Sequence, residues 1–295
     1  MLVFNRIETT IQVFKVLKQI QPRYLYVVAD GARAHKTGEA QKCEAVRQLF
    51  LTQIDWDCQL TTLYRTENLG CRKSVATGIS WFFEQVEQGI ILEDDCLPDL
   101  SFFGFCQEML IKYKDNSELM HISGNQLLHS EYKNKSNNYL YNKTPYIWGW
   151  ATWRRAWQLY DAKMENFNKF AATRLVELDG LGGFLKKKFI RNFELVSAYK
   201  LDTWDYQWTF SIWYNKGICV VPAANLVSNI GFGAEATHTN KVSHLANQPC
   251  SAISPNPQPL NTYPVDFQYD KKVFGFVYGS NLLIRAWRWA KSKWF

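Results

Sequence analysis

Gly89-Ile-Ile-Leu-Glu-Asp-Asp-Cys-Leu-Pro98 is the stretch on which the reading of this chain turns. Ile90, Ile91 and Leu92 form a continuous apolar run, the kind that makes a short strand buried on both faces of a parallel sheet. Three acids, Glu93, Asp94 and Asp95, arrive at its carboxyl end, and Pro98 predicts that the chain has left the strand by that point. Open α/β sheets bind ligands in the crevice beyond the carboxyl ends of their strands. Adjacent carboxylates there repel unless a cation or a hydrogen-bond donor compensates them. Hard divalent ions such as Mg2+ or Mn2+ take oxygen ligands and share them with substrate phosphates. The triplet therefore points to a metal–diphosphate site, and its plainer alternative is a solvated acidic turn.

Upstream of the triplet, apolar strands and amphipathic helices alternate. Met1 to Phe4 reads as a strand running into Asn5-Arg6, and the spacing of Ile11, Phe14 and Leu17 predicts a helix over 9–20. Tyr24 to Ala29 is a second buried strand ending at Asp30-Gly31. A helix over 39–50, a strand over 59–64, a turn at Asn68-Leu-Gly70 and a helix over 74–86 follow. This rhythm predicts βαβ units and a parallel sheet, an α/β fold. Arg6, Asp30 and the acidic triplet each follow a strand, so parallel strands would bring them to one edge. An acid in the early βα loops can accept hydrogen bonds from a ribose or a base, and Arg6 could neutralise phosphate. Read singly, Asp30-Gly31 is also a plain turn and Arg6 a plain surface charge.

Downstream the alternation loosens. Residues 102–114 suit a helix, 119–122 a strand, and the Asn-, Lys- and Tyr-rich stretch 129–145 a loop. Tyr146 to Trp157 holds Trp148, Trp150, Trp153 and Trp157, which could stack a sugar or equally form a Trp-rich core hinge; Gly149 leaves room for close approach of backbone or ligand. Residues 163–200 read as polar and mostly helical. Asp205, among Trp204, Tyr206 and Trp208, is a candidate general base or a helix N-cap. Gly217 to Val221 is a strand, and Asn229 to His238 is a glycine-containing loop suited to a lid over phosphates. Residues 247–264, with five prolines, read as extended and irregular. From Gly279, apolar Leu282, Leu283, Ala286 and Trp289 face away from Arg285, Arg288 and Lys291, a basic amphipathic helix suited to an anionic membrane surface or to docking on its own domain.

Composition narrows the classes. The 295 residues are 47% hydrophobic, enough for a sizeable core in one or two domains, and 16% are aromatic. The net charge of +7 is unevenly spread and lacks the dense basic stripe of a nucleic-acid binder. The seven cysteines show neither a CxxC pair nor metal-ligand spacing, and with no signal peptide in view they read as reduced thiols of a cytoplasmic protein. No run is long enough to span a membrane.

The ordered set Val3-Phe-Asn-Arg6, Val27-Val-Ala-Asp-Gly31, Asn68-Leu-Gly70, Ile91-Leu-Glu-Asp-Asp95 with Pro98, Gly149-Trp150, Trp204-Asp205 and the Asn229 to His238 loop resembles the GT-A glycosyltransferases, within them the bacterial relatives of N-acetylglucosaminyltransferase I and the family 2-like nucleotide-diphospho-sugar transferases. The resemblance covers about residues 1–240. It implies a GT-A fold, a mixed Rossmann-like sheet flanked by helices, with the amphipathic helix appended. Residues 1–125 would form the nucleotide-sugar-binding half of one domain, 126–265 its acceptor-binding and catalytic half, and 266–295 the basic aromatic tail. It also implies an inverting, Mn2+- or Mg2+-dependent transfer from a nucleotide-sugar donor, UDP favoured, to a glycan or lipid-linked acceptor, in cell-surface polysaccharide synthesis. By match to the motifs, Asp95 would hold the metal and Asp205 would be the base. Asp30 would read the nucleoside beside Arg6, and Asp94 would face ribose or sugar. Asn68, Lys73, Glu93, Trp150 and His238 complete the expected donor site. The protein would be cytoplasmic, peripheral on the inner face of the plasma membrane through its tail. Two features depart from the family: the first strand begins almost at Met1, and the acids usually paired near the base stand here as Asp205-Tyr206.

Two rivals come from other classes. A glycan-binding or scaffold protein would use the same Trp-rich middle without turnover. A nucleotidyltransferase would show a glycine-rich, Arg/Lys-bearing phosphate loop near the N-terminus, and none is visible.

Overall fold

The protein is described by a computed structural model over residues 1–132, 138–173, 181–232, 245–253 and 264–277. The first ninety residues alternate as their apolar periodicity predicts: β1 (Leu2–Val3), α1 (Ile7–Ile20), β2 (Tyr24–Ala29), α2 (Glu39–Thr52), β3 (Gln59–Tyr64), α3 (Gly70–Gln85) and β4 (Gln88–Ile91). β1, β2 and β3 pair in parallel. β1 also meets the end of β4, through a parallel bridge from Leu2 to Glu93 and a 2.8 Å bond from the Leu2 N–H to the Leu92 carbonyl.

Past the acids come β5 (Cys96–Pro98), α4 (Leu100–Lys112), β6 (Leu119–Ser123), α5 (His129–Tyr132), β7 (Tyr139–Asn142), β8 (Trp150–Trp153), α6 (Arg154–Trp157), α7 (Phe167–Thr173), α8 (Gly183–Ser197), α9 (Asp205–Tyr214), β9 (Ile218–Pro222) and β10 (Val227–Asn229). A further helix covers 267–277. The strand order β4-β8-β6-β9-β7 continues the sheet from β4. β8 runs antiparallel to β4 and β6, β9 is parallel to β6, and β7 closes antiparallel to β9. The molecule is thus an α/β protein with a mixed sheet. Strands β1, β2, β3, β4, β6 and β9 all point the same way, so their carboxyl ends share one edge.

Alternation along the strands builds two cores. Val27, Leu119, Ala151 and Val220 face a layer with Val13 and Phe14 of α1, Phe50 of α2 and Phe105 of α4. Their neighbours Val28, Met120, Trp150 and Cys219 face the other layer, with Ile79 of α3, Phe193 of α8 and Trp208 of α9. Helices on both faces of the sheet explain why its central strands read as unbroken apolar runs. Each fully buried Phe in these layers stabilises the fold by roughly 2 kcal/mol. A third cluster, Leu127, Tyr132, Val221, Tyr269 and Val273, docks the helix over 267–277 on the body.

Several expectations need correction. Pro98 does not merely end β4. It closes β5, which pairs antiparallel with β10 and folds the chain back over the sheet edge. The predicted loop over 129–145 contains α5 and the edge strand β7. The Trp-rich stretch is a central strand and a helical turn: Trp150 and Trp153 belong to β8, Trp157 to α6, and all three are buried. The first part of the expected tail is a docked helix, while residues 278–295 lie outside the described residues. Among the described residues no helix is long and apolar enough to cross a membrane. All seven cysteines are unpaired.

Candidate functional site

β1 ends beside β4, and this adjacency brings the first strand's exit to the acidic triplet. The Phe4 N–H donates to Asp94 Oδ2 at 3.0 Å. Two residues on, Arg6 Nη1 donates to Asp95 Oδ2 at 2.8 Å, a pair with less than a fifth of either side chain exposed. Burial and the neighbouring Asp95 charge push Asp94 up to about 7, although Arg6 and the Phe4 N–H pull the other way. Glu93 is driven well above the carboxylate range by burial and then by Asp95, Asp94 and Asp205. The triplet is a compressed set of charges, not a solvated turn.

Asp30 leaves β2 at the same edge and is buried. Its carboxylate closes the turn that starts α3, accepting from the Leu69 N–H at 3.0 Å, the Gly70 N–H at 3.2 Å and Asn68 Nδ2 at 3.1 Å. Asn68 Nδ2 also donates to the Gly31 carbonyl at 2.8 Å. Asn68 therefore holds Asp30 in place.

Asp205 is the first residue of α9, and Trp204 takes the N-cap position that the sequence left open to it. The Thr203 hydroxyl donates to Asp205 Oδ1 and orients the carboxylate. Cys71 marks where the acids meet. Burial raises its thiol to about 12, helped by the charges of Glu93, Asp202, Asp205 and Asp30. Those four acids come from the ends of β4 and β2 and from the segment entering α9. Residues distant in sequence thus converge on the first turn of α3.

The remaining expected residues divide. Trp150 is wholly buried, stacked on Trp204 at 5.6 Å and on His121 at 5.1 Å, so its indole is a core element beneath the site and not a stacking platform. Gly149, at φ +63, takes a left-handed turn, and a Cβ there would press on Val227 and Leu92; its space is filled by packing, not left for a ligand. Lys73 is exposed on the first turn of α3, and its neighbour Arg72 makes the tertiary contacts instead. His238 lies outside the described residues, as does most of the Asn229 to His238 loop. The part that is described reaches the triplet: the Ile230 N–H donates to the Asp95 carbonyl at 2.9 Å. A Cβ on Gly231 would fall 2.0 Å from Asp95 Oδ2. Sequence reasoning missed Cys71, Arg72, Asp202, Thr203 and Gly231. Gly231 carried a signal, as a glycine in the loop read as a lid over phosphates.

Among the described residues no three His, Cys, Asp or Glu side chains stand together as a ready metal cage. The residues present fit a different kind of binding. Mg2+ and Mn2+ are often held by one or two carboxylates plus substrate phosphates, and Asp95 supplies one such carboxylate, its Oδ2 paired with Arg6 and closely packed by the Gly231 backbone. No protein-family model matches the chain, and no curated protein matches it.

Proposed function

We propose that the protein is a metal-dependent, inverting glycosyltransferase of the GT-A kind, moving a sugar from a nucleotide-diphosphate donor, UDP favoured, to a hydroxyl of a glycan or lipid-linked acceptor. One observation carries the reading: Asp30 and Asp202 both close on the first turn of α3, and Asp94 and Asp95 are held by the Phe4 N–H and Arg6, so acids from separate elements share the carboxyl edge of the sheet. An acid-rich edge repels an anionic diphosphate unless a cation stands between them, which supports a divalent ion held by Asp95. When bound, that ion supplies neutralisation of the charge developing on the leaving diphosphate.

The chain's own residues do the rest. Asp95 orients the diphosphate side of the site, and Arg6, now paired with Asp95, is close enough to be shared with a phosphate. Asp30 and Asn68 shape the nucleoside end. Asp94, held by the Phe4 N–H, faces the ribose or the sugar, with Glu93 beside it. Asp205 takes the proton from the acceptor hydroxyl as its oxygen attacks the anomeric carbon and the bond to the diphosphate breaks. A single displacement of this kind inverts the anomeric centre and needs no covalent intermediate.

The test is a panel of nucleotide sugars with Mn2+ or Mg2+, scored for release of nucleoside diphosphate, with Asp95→Ala as control. Metal-dependent release that vanishes in the variant supports the reading and names the sugar. Neither release nor a thermal shift with any donor would replace it with a glycan-binding role on the same fold.

A further inference from the structure

Two charged residues, Arg72 at the start of α3 and Asp202 in the segment before α9, each contact the other's stretch of chain. Arg72 Nη1 donates to the Val196 carbonyl at 2.8 Å and Nη2 to the Ala162 carbonyl at 2.6 Å, and its guanidinium lies 4.2 Å from the centre of the Tyr199 ring. Asp202 works in the opposite sense. Its Oδ2 accepts from the Cys71 N–H at 3.2 Å and its Oδ1 from the Arg72 N–H at 3.1 Å. The two contacts are complementary. A helix leaves its last carbonyls and first N–H groups without intrahelical partners, and it favours a cation at its C-terminus and an anion at its N-terminus. Arg72 answers the end of α8, where Tyr199 turns the chain at φ +56, and Asp202 answers the start of α3.

Between these anchors runs the segment 198–204, which has no helix or strand of its own and delivers Asp205 to the first position of α9. Trp204, stacked on Trp150, fixes its far end in the core. The first turn of α3 is thus tied to both sides of the segment that presents the candidate base. That same turn is closed by Asp30.

We propose that Arg72 and Asp202 are positioning residues that hold the 198–205 segment against α3, keeping the Asp205 carboxylate at the acidic edge and coupling it to the nucleotide end through Asp30. The inference rests on the transferase reading for its catalytic consequence, but the strap itself can be measured without turnover. Misplacing a catalytic group by about 1 Å can cost on the order of 100-fold in rate.

The experiment pairs hydrogen exchange with kinetics on the full chain, using Asp202→Ala, Asp202→Asn and Arg72→Lys. Faster amide exchange over 198–206 in Asp202→Ala, without a change over β6 and β9, is expected. With it, kcat should fall about 10- to 100-fold, while the Kd for the nucleoside diphosphate with Mn2+ stays within about twofold of wild type. Asp202→Asn, which keeps one acceptor oxygen, should recover part of kcat. Arg72→Lys, which keeps the charge but loses the fork, should behave like Asp202→Ala. Unchanged exchange over 198–206 in Asp202→Ala overturns the proposal whatever the rates. So does a loosened segment with undiminished kcat, or an equal loss of nucleotide affinity. A wild-type protein inert toward every nucleotide sugar is a separate failure, seen before any variant is made, and it removes the catalytic role of the strap.

Discussion

Arg6 lays its guanidinium on Asp95 with a 2.8 Å contact, and only 17% and 16% of the two side chains remain exposed. The residue expected to face phosphate is therefore held by the residue expected to hold the metal. The pair also relieves a carboxylate that is raising the pKa of both its neighbours. On the proposed reading, donor and metal binding would re-sort these contacts, so the free site is electrostatically tense.

Asp95→Asn tests that tension. Removing the charge lifts the repulsion on Glu93 and Asp94, so the thermal midpoint is expected not to fall, while metal-dependent nucleotide release drops on the order of 100-fold or more. A midpoint lowered by more than about 5 °C, roughly 3 kcal/mol in a chain of this size, would make the ion pair structural instead.

Asp205→Asn keeps the size of the side chain and an oxygen for Thr203 but removes the base. The expected loss in kcat is roughly 100- to 10,000-fold, with nucleoside diphosphate affinity retained in a calorimetric titration. Activity within tenfold of wild type would send the search for the base to another acid of the edge.

Gly231→Ala would place a methyl group 2.0 Å from Asp95 Oδ2 and 2.6 Å from its Cβ. Something has to shift, and overpacking of this kind typically costs about 1–3 kcal/mol. Turnover should fall with weaker apparent affinity for Mn2+. An alanine variant with wild-type metal dependence would show that the loop does not set the geometry at Asp95.

His121 predicts an acid limb to the stability curve. Its Nδ1 accepts from Trp208 Nε1 at 3.1 Å, and Nε2 then donates to the Tyr146 carbonyl at 3.1 Å, which fixes a neutral ring. Burial depresses its pKa from 6.5 to about 3. The unfolded chain therefore binds this proton more readily than the native state. The stabilising contribution is complete above pH 6.5, shrinks as pH falls toward 3, and amounts to a few kcal/mol. Asp270, buried and raised to about 6, works in reverse, weakening the fold as pH rises from about 4 to 6. Nitrogen chemical shifts of His121 should show no titration near pH 6.5; a midpoint there would mean that the Trp208 bond does not hold.

What the sequence disclosed follows from which signals are local. Tyr24 to Ala29 and Ile90 to Leu92 are apolar runs followed directly by acids, so strand and strand-end chemistry could be read together. β8 could not be separated in this way. Trp150 to Trp153 has the same composition whether it lines a cleft or fills a core, and only pairing with β4 and β6 decides. β7, Tyr139-Leu-Tyr-Asn142, is mostly buried but only four residues long, and the polar Asn- and Lys-rich residues around it masked the run. Arg72 and Asp202 were invisible for a different reason: their partners lie more than a hundred residues away, at 196 and 71. Lys73 drew the eye as a cation in the right place, one position from the one that carries the contacts.

The way β8 inserts between β4 and β6 also divides the molecule into locally and distantly paired parts. Residues 1–91 build their strands and helices largely from neighbours in sequence, and such local contacts form early. β4 then waits for residues 150–153, β6 and β7 for 218–222, and β5 for 227–229. The Asp30 side of the edge is thus framed by local contacts, whereas the strands on either side of Asp95 are completed only by partners that lie far along the chain.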